Sequence, residues 1–204
     1  NQLMLWTMLY LPGAADNGAI RVAVANGATN LRNGAWYYYD LTPQQLGLPT
    51  GRWYDYPHVS IGATRMYISL NVFTTAGSWT NTVLLSLPLA GLASGGGFGY
   101  GFINVTDRFN FTPTQGTGTT VYWASHNSTS SLRIYRWAEG SGTYFWNDVA
   151  HTAYTATGRG SAHCVGPDGR DWCGRFDDRV MAGYVAGGVV GFMWNVAEGG
   201  GFVY

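Results

Sequence analysis

The sequence predicts an all-β fold built of antiparallel four-stranded units, and three observations predict it. Aromatic residues make up 16% of the chain, with 14 Tyr and 9 Trp, an enrichment that suits the pleated, half-buried surface of a sheet. Thirty glycines fall largely in short polar interruptions between apolar runs. Every window with helical spacing is broken by Gly or Pro, or carries the two-residue alternation of a strand. At 204 residues there is room for one sizeable core or two small ones.

In chain order, the start NQLMLWTMLYLPGAA resembles the apolar segment of a signal peptide, but it has no initiator Met and no basic flank. Residues 3–11 therefore read as a buried strand of a processed or truncated chain. The runs AIRVAVANG, AWYYYDLT, RMYISLNVF, TVLLSLPL, TVYWASHN, LRIYRWAE and VVGFMWNV each fit a strand. Between them lie turn clusters such as PGAADNG, ASGGGFG, PTQGTG and GPDGRD, rich in the residues that tight turns require. No run approaches the length of a membrane-spanning helix.

The chain also matches itself. Arg52-Trp53 recurs as Arg108-Phe109 and again as Arg175-Phe176. Nineteen residues after Arg52 stands Asn71, nineteen after Arg108 stands Asn127, and twenty after Arg175 stands Asn195. A second strand follows each of the first two Asn. At the N-terminus, LMLWTMLY and AIRVAVANG form the same strand pair without the Arg-aromatic lead; Arg136-Trp137 departs from the pattern, with no Asn at the matching distance. Spacings of 56 and 67 residues between successive leads suit four-stranded blades of a β-propeller. Approximate repeat units are then 1–50, 51–106, 107–173 and 174–204, the last incomplete. That makes about three and a half blades, against the four to eight of closed propellers. The expectation is a propeller unfinished within this chain, completed by a second chain or by the rest of a longer polypeptide.

The phrase YDYPHVSIGATRMYISLNVF, with its Asp-Tyr-Pro, its Gly and a strand ending in Asn-x-Phe, resembles uncharacterised secreted bacterial propeller-like proteins. The resemblance covers residues 51–73, with a weaker echo at 175–198. It implies a propeller in an extracellular setting and implies no activity. The Ser-x-Asp-x-Gly-x-Thr-Trp box of sialidase-like propellers is absent from this sequence.

Charge excludes several function classes. Only 11% of residues are charged and the formal net charge is zero, so no basic field steers a nucleic acid. All eleven cations are Arg; without Lys there is neither Schiff-base chemistry nor a lysine phosphate cradle. The glycine run ASGGGFGYG lacks the Lys and the helix of a phosphate loop, and no Gly-x-Ser-x-Gly elbow supports a Ser-His-Asp triad.

Several constellations could carry chemistry. Exposed rings that cover the apolar face of a sugar are expected at Trp53, Tyr54, Tyr56 and Trp172, beside Arg52 and Arg175. Asp55 and His58 could form an acid–base pair, with Pro57 bending the strand between them; the competing reading is a turn cap and a filled polar pocket. Asp177 and Asp178 are adjacent and would point to opposite faces of a strand. A glycosidase would need two carboxylates about 5 Å apart, or ~6.5–9.5 Å for inversion, which only a pairing such as Asp55 with Asp177 across a propeller axis could supply. Asp168 and Asp171 resemble part of a calcium loop, although a plain turn fits the same residues and no cofactor is required. Cys164 and Cys173 flank a turn and read first as a disulfide of an oxidising compartment, with two free thiols second and a metal site including His163 last. Asn104, Asn110 and Asn127 are glycosylation sequons. Together these features lead to an extracellular structural or recognition module for a neutral glycan or protein surface. The alternatives are a glycan-active hydrolase or lyase using Asp55, His58 and Asp177, and a subunit of a cell-surface assembly.

Overall fold

The computed structural model describes residues 2–11, 18–156, 165–171, 177–198 and 201–203. The chain divides into two compact units, Asn1–Phe111 and Thr112–Tyr204. Both are built of antiparallel sheets. No helix among the described residues is long and apolar enough to cross a membrane.

The N-terminal unit contains a three-stranded sheet, β1 (Leu3–Tyr10), β2 (Ala19–Asn26) and β3 (Tyr37–Leu41), paired in that order. It also contains a four-stranded meander, β4 (Arg52–Ile61), β5 (Arg65–Thr74), β6 (Trp79–Pro88) and β7 (Gly101–Val105), again paired in sequence order. β1 alternates strictly: Leu3, Leu5 and Leu9 turn toward the core, whereas Met4, Trp6, Met8 and Tyr10 are exposed. β5 and β6 are instead buried on both faces over their central residues, which is why their sequences are apolar with only small neutral polar residues interspersed. Ile20, Val22 and Val24 of β2 join Met66, Ile68 and Leu70 of β5 and Val83, Leu85 and Leu87 of β6 in one core. Burying each such side chain contributes about 1.5–3 kcal/mol.

Short helices interrupt this sheet architecture at α1 (Gly27–Arg32) and α2 (Leu89–Ser94), and a 3-10 turn spans Pro43–Leu46. The turn has a capping box: Thr42 Oγ1 accepts from the Gln45 N–H, and Gln45 Oε1 accepts from the Thr42 N–H. Pro43 occupies its first turn, where a missing N–H costs nothing. The run TVLLSLPL remains extended to Pro88 and turns helical at Leu89.

Polar side chains buried among β5 and β6 find partners close by: Ser86 Oγ accepts from Arg65 Nη1 at 3.3 Å, and Asn71, Thr82 and Ser69 have neutral ones. Asn71 Oδ1 accepts from the Asn110 backbone N–H at 3.0 Å and from Thr82 Oγ1 at 2.9 Å. Its Nδ2 donates to Asn110 Oδ1 at 3.4 Å, and Ser69 donates to the Phe111 carbonyl. Asn110 adopts φ +59°, a conformation that Asn tolerates better than most residues. Trp53 and Phe109, each preceded by an Arg, also converge on one aromatic group. The Trp53 ring stacks on Phe73 at 5.1 Å, and Phe109 meets Phe73 and Trp79 edge-on at 6.4 and 5.7 Å.

The C-terminal unit begins with a second four-stranded meander, β8 (Thr112–Pro113), β9 (Thr120–Ser128), β10 (Ser131–Ala138) and β11 (Phe145–Ala150), paired in sequence order. Trp123 and Tyr135 face each other across β9 and β10, stacked at 5.0 Å with planes 2° apart. Two hairpins follow, β12 (Val180–Ala186) with β13 (Val189–Trp194), and β14 (Val196–Glu198) with β15 (Gly201–Val203). In the first hairpin Gly183 lies opposite Phe192 and Gly191 opposite Tyr184. A Cβ at Gly183 would meet the Phe192 ring at 2.7 Å, and one at Gly191 the Tyr184 ring at 2.4 Å. Each glycine is therefore roofed by its partner's ring.

The repeat asparagines differ in what they hold. Asn71 is buried with three side-chain hydrogen bonds, and truncating it takes the acceptor from the Asn110 N–H and from the Thr82 hydroxyl, which still accepts from the Trp79 indole. Asn71→Ala is expected to cost about 2–4 kcal/mol in urea denaturation, since each stranded group costs ~1–3 kcal/mol. Asn127→Ala, on the exposed end of β9, is expected to cost less than about 1 kcal/mol. Equal losses at the two positions would contradict this assignment.

Candidate functional site

The outer face of the three-stranded sheet carries an exposed aromatic platform. Strand alternation puts Trp6, Met8 and Tyr10 of β1 on that face, where the register aligns Trp6 with Ala23 and Tyr38, and Met8 with Arg21 and Asp40. Trp6 is 61% exposed and Tyr38 58%. Arg21 Nε and Nη2 donate to Asp40 Oδ1 and Oδ2, each at 2.7 Å. The same guanidinium lies 4.9 Å from the Tyr10 ring centroid and 5.3 Å from that of Tyr38, within cation–π range. The bidentate hydrogen bond raises the Arg21 pKa above its ordinary value and lowers that of Asp40. Both groups are solvent-accessible, so the pair adds little to stability. What it does is fix a planar cation between two rings.

The C-terminal unit builds the same device from equivalent parts. Arg133 on β10 pairs with Asp148 on the edge strand β11, Nε to Oδ1 at 2.8 Å and Nη2 to Oδ2 at 2.9 Å. The Trp146 ring lies over the guanidinium at 3.8 Å and remains half exposed. In both sheets the aromatic residue stands two positions before the aspartate, Tyr38 before Asp40 and Trp146 before Asp148. That spacing places ring and carboxylate on one face of the edge strand.

A second cluster in the C-terminal unit gathers rings and titratable groups. Tyr154 Oη lies 3.3 Å from His126 Nδ1 and donates to Asp178 Oδ2 at 3.4 Å. The His151 ring stacks on Tyr154 at 5.8 Å and packs against Trp194 at 4.9 Å. His151 Nδ1 sits 2.8 Å from the Thr152 carbonyl. A carbonyl only accepts, so Nδ1 is the donor in this contact, and the ring's second nitrogen is Nε2. That Nε2 and the Trp194 indole N–H are buried without a hydrogen-bond partner among the described residues. Burial lowers the His126 pKa, with His151 adding to the effect; the Asp178 charge and hydrogen bonds to the Asp178 and Ser128 main chain oppose it. Burial raises the Tyr154 phenol, and Asp178 raises it further. Burial thus favours the uncharged forms of His126 and Tyr154. Among the described residues no group of three or more His, Cys, Asp or Glu side chains is arranged to bind a metal.

The residues singled out from sequence take varied places. Tyr54 is 1% exposed in the core, which corrects its selection as an exposed ring: β4 turns this side chain inward. Trp53 is half-buried, its indole N–H bonded to the Thr74 carbonyl at 2.7 Å and its ring stacked on Phe73. Arg52 is half-buried and donates to the Gly51 carbonyl. Asp55 pairs with Asn71 and His58 with Ser69, and the register shifts between them at a β-bulge containing Tyr56 and Pro57. Tyr56 takes φ +53° there, and Asp55 Oδ1 accepts its backbone N–H at 2.8 Å, so Asp55 acts as a turn cap. Asp177 accepts from Arg179 Nε at 2.6 Å, while the adjacent Asp178 takes Tyr154. Asp168 accepts the Arg170 N–H across a tight turn, and Val165 bridges to Asp171. Asn104 is exposed and accepts from Asn81 Nδ2. Asn110 is buried and its amide bonds Asn71, which corrects its reading as a glycan acceptor, since the fold leaves no room for a sugar there. Asn127 is exposed. Cys164, Cys173, His163, Trp172 and Arg175 lie outside the described residues.

Sequence reasoning passed over His126, His151, Tyr154 and Trp194. A signal was present in the repeat, because His126 and Trp194 immediately precede the repeat residues Asn127 and Asn195.

The direction of the His126 shift fixes a pH dependence. Its folded pKa lies below the unfolded value of about 6.5, so below that pH the unfolded chain binds the proton first and stability falls. The charged and titratable neighbours are Asp178, His151 and Tyr154. The melting temperature is expected to drop between pH 7 and pH 5, and His126→Gln to flatten part of that drop. A variant that tracks the parent curve throughout would refute the role of burial.

No family model, curated protein or solved structure matches this chain, so its functional reading rests on the geometry of these sites.

Proposed function

We propose that the protein is a non-catalytic extracellular recognition module, with its antiparallel sheets serving as propeller blades and an exposed aromatic face binding neutral glycans. One observation carries this reading: the face of Trp6, Tyr10 and Tyr38 organised around the Arg21–Asp40 pair. Trp6 and Tyr10 stand four residues apart on one strand, ~14 Å, and Trp6 and Tyr38 are separated by two strand spacings, ~10 Å. Such spacing spans several rings of an extended saccharide. Flat rings cover apolar sugar faces, and the ion pair offers fixed donors and acceptors to hydroxyls without net charge. A neutral ligand agrees with the zero net charge of the chain.

The blade reading is supported by two four-stranded meanders paired in sequence order and by the twice-built Arg–Asp–aromatic device. None of the sheets formed by the described residues closes on itself, and open edges are surfaces that proteins usually pair or cover. Remaining blades come, in this reading, from a second chain or from a longer polypeptide.

Isothermal titration against neutral oligosaccharides of six sugar units tests the proposal. Trp6→Ala and Tyr38→Ala are each expected to weaken binding about tenfold, with melting temperatures near that of the parent because both rings are exposed. Absence of binding to any neutral oligosaccharide, or affinity untouched by both substitutions, would remove the platform.

A further inference from the structure

The β8–β11 sheet has a second feature, on the side opposite Trp146. Strand alternation sends Tyr122, Arg136 and Phe145 to that side as one row across three strands, Tyr122 opposite Arg136 and Arg136 opposite Phe145. They line a cleft of about 220 Å³ together with Thr120, Ser141 and Thr143. At ~30 Å³ per water, that volume suits one six-membered sugar ring.

The lining has a specific chemistry. Phe145 is 57% exposed and its ring lies 5.3 Å from the Arg136 guanidinium, so an apolar face and a cation border the same space. Arg136 makes no ion pair or hydrogen bond among the described residues, unlike Arg21, Arg133 and Arg179, whose guanidinium groups bond Asp40, Asp148 and Asp177. The Tyr122 and Thr120 hydroxyls likewise make no hydrogen bond among the described residues. The rim is fixed in advance: Ser141 Oγ donates to the Thr143 carbonyl at 2.8 Å and accepts the Thr143 N–H at 3.1 Å. The Trp137 indole donates to the Ser141 carbonyl at 2.9 Å. A preformed rim reduces the ordering cost of binding.

We infer that this cleft is a subsite for a single carboxylate-bearing sugar, a uronic acid residue. Arg136 takes the carboxylate in a bidentate pair, Phe145 covers the apolar face of the ring, and Tyr122, Thr120 and Thr143 meet its hydroxyls. The inference rests on the glycan-binding reading for the ring and on Arg136 for the charge, so the two parts fail separately.

Titration of the intact chain with glucuronate, glucose and acetate tests it, with Arg136→Gln and Trp6→Ala as variants. Glucuronate is expected to bind at least tenfold more tightly than glucose or acetate, to weaken with added salt, and to lose at least tenfold in Arg136→Gln. Trp6→Ala is expected to leave glucuronate binding unchanged. Equal affinity for glucuronate and glucose, or an unaltered Arg136→Gln, would overturn the role of Arg136. Acetate binding as tightly as glucuronate would overturn the sugar. If neutral oligosaccharides bind in a Trp6-dependent way while glucuronate does not bind, this inference falls and the platform stands. If neither class binds, both fall.

Discussion

The burial of β5 and β6 on both faces is the constraint on which the rest of the N-terminal unit depends. A strand with no solvent face cannot carry charge without a partner, and these two strands carry only Ser, Thr, Asn and Tyr among their apolar residues over the buried stretch. The polar groups must then be satisfied by side chains and main chain close by. Asn71 does this for Thr82 and for the Asn110 N–H. That requirement fixes the path of residues 109–111, and with it the placing of Phe109 against Phe73 and Trp79. A chain with 11% charged residues has few other means of satisfying a buried polar row.

Charge is used sparingly and for geometry. Arg21 and Arg133 each lock a carboxylate on an edge strand and present a guanidinium to an aromatic ring. The more exposed pair, Arg21 with Asp40, contributes little to folding. Arg179 is tied to Asp177 in a more buried setting. Arg136 stands apart from this pattern, with the Phe145 ring beside it and no acid paired to it among the described residues.

The ring cluster of the C-terminal unit follows a different logic. His126, His151, Tyr154 and Trp194 pack within 4.9–6.5 Å of one another, too close for a ligand between them. Burial keeps His126 and Tyr154 in their uncharged forms, so the cluster behaves as an aromatic mini-core with one carboxylate, Asp178, at its edge. Its contribution is therefore to the stability of the unit at neutral pH.

The sequence alone determined the all-β class and the central strands, because an apolar run bounded by turn residues has few other ways to fold. β2 and β13 lie within runs that read as strands, and β5, β6, β9 and β10 overlap such runs over most of their length. Edge strands were harder to see: every residue of β11 is exposed, so it shows no alternation, and β7 is a five-residue strand after a glycine-rich stretch. Pro57 correctly announced an interruption in β4, since proline cannot continue a regular ladder. Tyr54 could not be separated from Trp53 and Tyr56 as the buried ring, because which alternate residue faces inward depends on what packs against the strand. The pairings that matter for function, Arg21 with Asp40, Arg133 with Asp148, and Arg136 between Tyr122 and Phe145, depend on strand register. Register is a property of two strands at once, and a one-residue slip would send each of these side chains to the other face. Tertiary structure alone decided them.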